Sequence, residues 1–506
     1  MPIVCNFPLL TILAGMLGSV ICTLLKGKGA RTLTLCIEAG VLGMSAAVLV
    51  HTLQTGASFT YALGEFPAPW GNELRAGALE GLAATVFSGV LICSVCGGMK
   101  YTVIDVEESK QNLFYTLVNL VTAALMALVW TNDIFTGYVF LEIMTLSSCG
   151  LIAVREQGRT TLAAVRYMIM NLLGSGLFLL GVVLMYSLTG HLLMVPMHEA
   201  VEEIAAGGGK LPLTFAMTIM TIGLGIKSGL FPSYFWMPDT YGNATPSGAA
   251  ILSALVSKGY IFLLLKIICR VTGSTVYEAL PLRGVLFILG TLGIIAGSVS
   301  ALRVRNINRM TAYSSAAQIG YIYLGLGIGG TAGFTAAMLQ IIAHAMTKSL
   351  LFITTPRLAA VSGESMLFSS LKGSGRRDRF AGFCFTAASL SMVGIPFMAG
   401  FSVKLYYATM AAEYGNTAVM AVILATLGIS SVLNACYYLR TVMTIYRTLP
   451  DGSPEAEPAP VPDRQRISGW LPYCGASAAL VLGNLFLGLA APEIVRLIQS
   501  GLDMFA

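Results

Sequence analysis

Apolar residues fall along this chain in blocks of about 20, separated by short polar breaks. A helix needs that length to cross a hydrocarbon layer about 30 Å thick. Fourteen blocks lie at 8–25, 32–53, 79–98, 112–131, 133–153, 166–188, 212–231, 246–269, 284–302, 312–329, 332–354, 381–403, 416–440 and 472–491. The narrowest breaks, 131 to 133 and 329 to 332, leave room only for tight turns. No basic region precedes the first block and no small-residue cleavage site follows it, so it reads as a retained helix. The pattern predicts an all-α polytopic membrane protein with fourteen transmembrane helices.

Composition agrees. Of 506 residues, 56% are hydrophobic and 11% charged, with a mean hydropathy of +0.78, whereas a soluble domain carries about 25% charged residues. The 30 Lys and Arg test the count of spans. With the N-terminus outside and loops alternating, 20 fall on the inner side and 5 on the outer. That asymmetry follows the positive-inside rule, and one missed helix would scramble it. The expectation is a multi-pass protein of the cell inner (cytoplasmic) membrane with both termini on the outer side. The net charge of +6 is mostly this topology signal. No basic patch interleaved with aromatics points to nucleic acid.

Cofactor chemistry finds no foothold. Among ten cysteines only Cys93 and Cys96 form a CxxC, without the second pair a cluster or zinc site needs, and they read as helix filler. There is no P-loop, dinucleotide fingerprint or HExxH. "GLGIGG" at 325–330 reads as a turn at a helix end. The chain is thus expected to bind no cofactor or metal. Outside the spans, 450–466 is a Pro-rich inner linker, 197–210 a short outer surface helix before a glycine hinge, and 371–380 a basic inner loop able to meet anionic headgroups.

Function must then lie among the charges inside the membrane. At 1.5 Å per residue, Glu142, Lys258 and His344 fall near mid-bilayer. Lys227 lies about 22 Å into the seventh block, by the same rise. Lys348 sits one turn beyond His344 on the same face, and Lys404 lies late in the twelfth block. Glu38 and Lys266 are placed near helix ends, where snorkelling accounts for them. Buried ion pairs gluing helices together are the structural alternative for the central group. The functional one is proton loading: burial disfavours a charged ammonium and a nearby carboxylate favours it. A Glu142–Lys227 contact that forms and breaks would load and unload a proton.

Two prolines sharpen this reading. Pro232 in "GIKSGLFPSYFW" cannot donate to the Ser228 carbonyl, so the seventh helix is expected to open one turn past Lys227. "GIPFMAGFSVK" (394–404) repeats the arrangement around Pro396, with Lys404 after the break. Broken helices at membrane depth line polar cavities. Five spans separate the two breaks, which predicts two inverted five-helix units, helices 4–8 (111–270) and 9–13 (271–446). Helices 1–3 (1–110) precede them; the linker (447–470) and helix 14 (471–506) follow.

"GIKSGLFPSYFWMPDTYGNATPSGAAILSALVSKGYIFLLLK" (225–266) resembles the heart of the antiporter-like subunits shared by complex I, membrane-bound hydrogenases and Mrp-type sodium/proton antiporters. The resemblance continues through "YVFLEIMTLSSCGL", "RMTAYSSAAQIGYI", "IAHAMTKSLLF" and "GIPFMAGFSVK", over roughly 110 to 410. It implies a hydrophilic axis of Glu142, Lys227, Lys258, His344, Lys348 and Lys404, with Lys258 as the bridge and Lys404 as the exit. Tyr234 and Tyr241 stand where complex I members usually carry histidines. "KSGLFPSYFW" and "FPAPWGNELRAG" (66–77) are more similar to the Mrp and membrane-bound hydrogenase branch. The chain stops soon after its last block, without the lateral helix of the largest complex I member.

Two function classes remain at this stage. In one, the chain is the proton-translocating module of a redox-driven complex whose redox centres lie on other subunits. In the other, it belongs to a non-redox Mrp-type exchanger moving Na+ and H+. A weaker third is a membrane scaffold with a silent axis. Partners in the first two are homologous and small membrane subunits and the lipid bilayer.

Overall fold

The computed structural model describes residues 3–66, 71–413, 415–448 and 469–505. Most of the linker at 447–470, and residues 67–70 of the "FPAPWGNELRAG" stretch, lie outside the described residues. Among the described residues, twelve helices are long and apolar enough to cross a membrane. Two predicted blocks are not among them. Block 312–329 falls in the helix Ile307–Ile328, 22 residues whose Thr, Ser, Gln and Tyr side chains dilute its apolarity. Block 381–403 is split between Arg379–Val393 and Ala399–Glu413, each 15 residues long.

Polar residues in the breaks start the helices. Asp133, Thr245, Asn306, Asp378 and Asn416 each accept a hydrogen bond from a backbone N–H of the first turn that follows. Glycines let the helices approach closely, as is common where lipid removes the hydrophobic drive between them. A Cβ on Gly223 would lie 2.6 Å from the Gly174 carbonyl oxygen, and one on Gly290 would lie 2.5 Å from the Leu324 nitrogen.

Burial ranks the helices. Pro246–Ala279 is enclosed along its apolar length and Gly330–Ala360 nearly so, while Gly27–Thr55 and Thr417–Tyr446 are peripheral. The two central helices carry Lys258, Lys266, His344 and Lys348. Pro246–Ala279 also contains wide π turns at Leu252–Val256 and Ile268–Thr272, unforeseen in the sequence.

Shorter elements between the long helices complete the picture. Met194–Ala206 is the expected surface helix and ends in Gly207–Gly209. Phe59–Ala62 and Glu73–Ala76 pair as a small antiparallel hairpin that the sequence reading lacked. Arg75 on this hairpin pairs with buried Glu80 at 2.7 Å.

Candidate functional site

Lys227 occupies the last turn of the helix Lys210–Ser228 and is fully buried. Its Nζ lies 3.7 Å from Glu142 Oε1, donates to Thr145 Oγ1 at 2.7 Å, and sits 5.3 Å from the centre of the Tyr260 ring. Thr145 and the Tyr260 hydroxyl share a 3.1 Å hydrogen bond. Glu142 and Thr145, one turn apart on the helix Ile134–Ala153, thus both face the ammonium. The lysine stem runs against bare backbone: a Cβ on Gly174 would come within 2.9 Å of Lys227 Cγ.

The helix stops at Gly229, before Pro232. Gly229 has φ +80°; its N–H donates to Ile226 O at 3.2 Å and the Leu230 N–H donates to Gly225 O at 2.8 Å. These are the two bonds of a Schellman termination, which favours glycine because of the left-handed backbone. Gly394, at φ +93°, makes the same pair: Gly394 N–H to Ser391 O and Ile395 N–H to Leu390 O, both 3.1 Å. The breaks assigned to Pro232 and Pro396 therefore begin two or three residues earlier, and glycine makes them. The lysines are not equivalent either. Lys227 precedes its break, whereas Lys404 follows its own and reaches back to Val393 O at 2.7 Å and Ser431 Oγ at 3.0 Å. Lys404 thus caps the carbonyl end of the first half-helix, where a cation is favoured.

Lys258 follows the first π turn of the central helix. Its Nζ donates to the Ser253 carbonyl and, at 3.1 Å, to Ser257 Oγ. Ser253 Oγ meets Ser315 Oγ at 2.9 Å. Lys348 donates to Thr311 O at 2.9 Å, to Ser314 Oγ, and to the Tyr438 hydroxyl at 3.2 Å. Lys348 therefore rests on the polar face of Ile307–Ile328, the helix whose hydropathy falls short, whereas Lys258 is tied to that helix only through Ser253. His344 is buried, and neither ring nitrogen has a hydrogen-bond partner among the described residues. It lines a small cavity with Gln318, Gln340, Thr347, Ser391 and Lys404. The Gln340 amide donates to Gln318 Oε1 at 2.6 Å.

The structure thus joins Glu142 to Lys227, Lys348 to the polar face of Ile307–Ile328, Lys258 to the same face through Ser253 and Ser315, and His344 to Lys404 through a shared cavity. Sequence reasoning missed the uncharged groups between them, chiefly Thr145, Tyr260, Ser253, Ser315, Gln318 and Tyr438. For Ser315 and Gln318 the signal was the run of hydroxyls and amides in "RMTAYSSAAQIGYI".

Two residues set aside as snorkelling behave otherwise. Glu38 is fully buried within Gly27–Thr55; it accepts from the Thr122 hydroxyl through Oε1, while Oε2 has no partner among the described residues. Lys266 is also fully buried and donates to Val129 O and Thr131 O at the end of Gln111–Trp130, 2.8 and 2.5 Å away. It caps a helix rather than reaching for water. All ten cysteines are free, and no cluster of metal-binding side chains occurs among the described residues.

Comparison with known proteins fits this architecture. The family model for the transmembrane part of NADH:quinone oxidoreductase and Mrp antiporters matches residues 131–430. An NADH-quinone oxidoreductase subunit N of Desulforudis audaxviator is 32% identical over 481 residues, covering 92% of this chain and 91% of its own length. A chain of the Mrp complex from Dietzia sp. overlays with a TM-score of 0.85 at 22% identity, covering 99% of this chain and 97% of that one. A chain of respiratory complex I from Thermus thermophilus overlays at 0.71 with 26% identity, covering 97% of this chain and 100% of that one. The chain belongs to the NADH:quinone oxidoreductase/Mrp antiporter transmembrane family, as an antiporter-like integral membrane subunit.

Proposed function

We propose that this chain translocates protons along the row Glu142, Lys227, Lys258, His344, Lys348 and Lys404 within a redox-driven complex of the complex I and membrane-bound hydrogenase kind. The observation that carries the proposal is the Lys227–Glu142 contact. At 3.7 Å it is an ion pair without a hydrogen bond, and Thr145 offers the ammonium a neutral alternative. A buried charge with only neutral partners costs several kcal/mol, so proton occupancy at each lysine depends on its neighbours. Lys258 and Lys348 have hydroxyl and carbonyl oxygens as hydrogen-bond partners. A change of charge at one end is felt along the row.

The finer architecture belongs to the same proposal. The two segments short of the twelve-helix count cross the membrane as well, giving fourteen crossings. Helices 4–8 and 9–13 form inverted units, each with one broken helix, and both termini face outward. The paired Schellman terminations at Gly229 and Gly394 support the internal repeat. Homologous and small membrane subunits, with redox centres on other chains, complete the complex.

Proton uptake by proteoliposomes holding the intact complex tests the axis. Lys227→Ala and Glu142→Ala should abolish uptake while the complex still assembles. Wild-type rates in Lys227→Ala would make the pair structural glue. A second reading, a subunit of an Mrp-type Na+/H+ antiporter, is favoured by the Mrp overlay. Copurification separates the two: a redox arm supports the first, and a complex without one that exchanges Na+ for H+ supports the second.

A further inference from the structure

A cavity of about 560 Å³ is lined by Arg159, Arg166, Arg305 and Arg309 around one carboxylate, Asp239. Arg166 and Arg309 both pair with Asp239. Arg159 and Arg305 are exposed and make no ion pair among the described residues. The chain thus leaves two guanidinium groups in one concavity without an anion, and the volume is that of a small-ligand site, about 300–1,000 Å³. The basic loop 371–380 differs, because its guanidinium groups are engaged within the chain. There Arg376 donates to Tyr446 O at 2.8 Å, and Arg377 donates to Lys372 O at 2.8 Å and Ser362 Oγ at 3.1 Å.

The cavity also opens onto apolar surface. Leu162 and Leu367 in its wall are exposed, and so is Phe235, one turn before Asp239. Arg166, Ile169 and Leu173 share one face of the helix Gly158–Thr189 at helical spacing. Ile169, Leu172 and Leu173 are exposed along the part of that helix that leads away from the arginines into a span apolar enough to cross a membrane. A soluble anion has no use for such a stripe, whereas a lipid chain does. Arginine's planar fork matches the oxygens of a phosphate, and basic pockets between transmembrane helices suit anionic headgroups. The site lies on a joint of the fold as well. Asp239 belongs to the short helix Met237–Asn243, which follows the break at Gly229, and its two ion pairs fasten that helix to Gly158–Thr189 and Ile307–Ile328.

We propose that this cavity holds the phosphodiester of an anionic phospholipid, bound by Arg159 and Arg305, with an acyl chain laid along Ile169 and Leu173. The site does not depend on what the axis carries.

Photolabelling in membranes that hold the intact complex tests it. The probe is phosphatidylglycerol with a diazirine in one acyl chain, and phosphatidylethanolamine with the same chain is the zwitterionic comparison. Label on residues 158–173 is quantified by mass spectrometry per assembled complex. Phosphatidylglycerol should label this segment at least fivefold more than phosphatidylethanolamine. Arg159→Gln combined with Arg305→Gln should lower its label at least fivefold, and Arg159→Lys combined with Arg305→Lys should keep most of it. Arg440→Gln combined with Arg447→Gln, at two exposed arginines elsewhere, should leave it unchanged. Excess inorganic phosphate should not displace the lipid; displacement would make this a site for the free anion and overturn the proposal. Equal labelling by the two lipids, or full labelling of the glutamine variant, overturns it too. Absence of label from 158–173 in the assembled complex would give the arginines to another partner, such as an acidic protein segment, and has the same consequence.

Discussion

At the scale of single residues, charge was legible and its solvation was not. Four lysines, Lys227, Lys258, Lys348 and Lys404, and the glutamate Glu142 announce themselves in the apolar helices, because ionisable residues are rare there. What holds each ammonium is a hydroxyl or a carbonyl, and such groups occur throughout ordinary membrane helices. Nothing in the sequence marks Ser253 O or Thr311 O as acceptors. Depth misled in the same way: Glu38 and Lys266 lie near the ends of apolar blocks, yet packing within the protein encloses both completely. Lys258 gives the clearest test. Arginine keeps the charge and the donors but hardly deprotonates, and Ser253 O and Ser257 Oγ can still accept from it. Lys258→Arg should therefore lower proton uptake at least tenfold while the complex assembles, as read in proteoliposomes and by gel. An unchanged rate would mean that Lys258 contributes only its field.

At the scale of elements, the apolar blocks located the helices, and two details of chemistry escaped them. Ile307–Ile328 is too polar to count as a span by hydropathy because one face holds Lys348 and meets Ser253, the residue whose carbonyl holds Lys258. The helix breaks were visible as prolines, but the termination is glycine's, since only a left-handed residue lets two N–H groups turn back to the last carbonyls. Substitution distinguishes the two. Gly394→Ala places a Cβ at φ +93° and 3.0 Å from Lys404 Cδ, at a cost of about 1–2 kcal/mol. It should lower the thermal midpoint and impair uptake together, because Lys404 caps the same helix end. Pro396 is exposed and lies beyond the termination, so Pro396→Ala should stay within about 0.5 kcal/mol of wild type. Thermal unfolding of the two variants in one detergent gives the comparison. A larger loss for Pro396→Ala would return the break to proline.

At the scale of the whole molecule, the proposed axis begins at a face that the chain leaves open. Phe135, Val139, Glu142 and Leu146 recur at helical spacing on Ile134–Ala153, and the three apolar members are 45, 40 and 54% exposed. Glu142 lies in the same stripe, with 22% of its side chain accessible. Scattered exposed apolar residues are ordinary in a membrane protein; a carboxylate among them is not, since lipid offers it no hydrogen bond. Among the described residues the one ion pair of Glu142 is with Lys227, and its Oε1 is buried without a hydrogen bond. A neighbouring membrane subunit lying on this stripe would supply polar company and a means of changing the charge at Glu142. Coupling between charges several Å apart at low dielectric is on the order of 1–3 kcal/mol or more, enough to move a proton at Lys227. Lys404, at the other end, sits beside Leu405 and Phe397, which are 50 and 68% exposed, so that end also has an open face. Val139→Cys should therefore crosslink to a partner subunit in native membranes, and Leu146→Trp should weaken assembly, while Ile169→Cys, on an exposed position of a different helix, serves as the comparison. A Glu142 stripe that reacts freely with lipid-phase probes in the intact complex, with no crosslinked partner, would place the receiving end of the axis elsewhere.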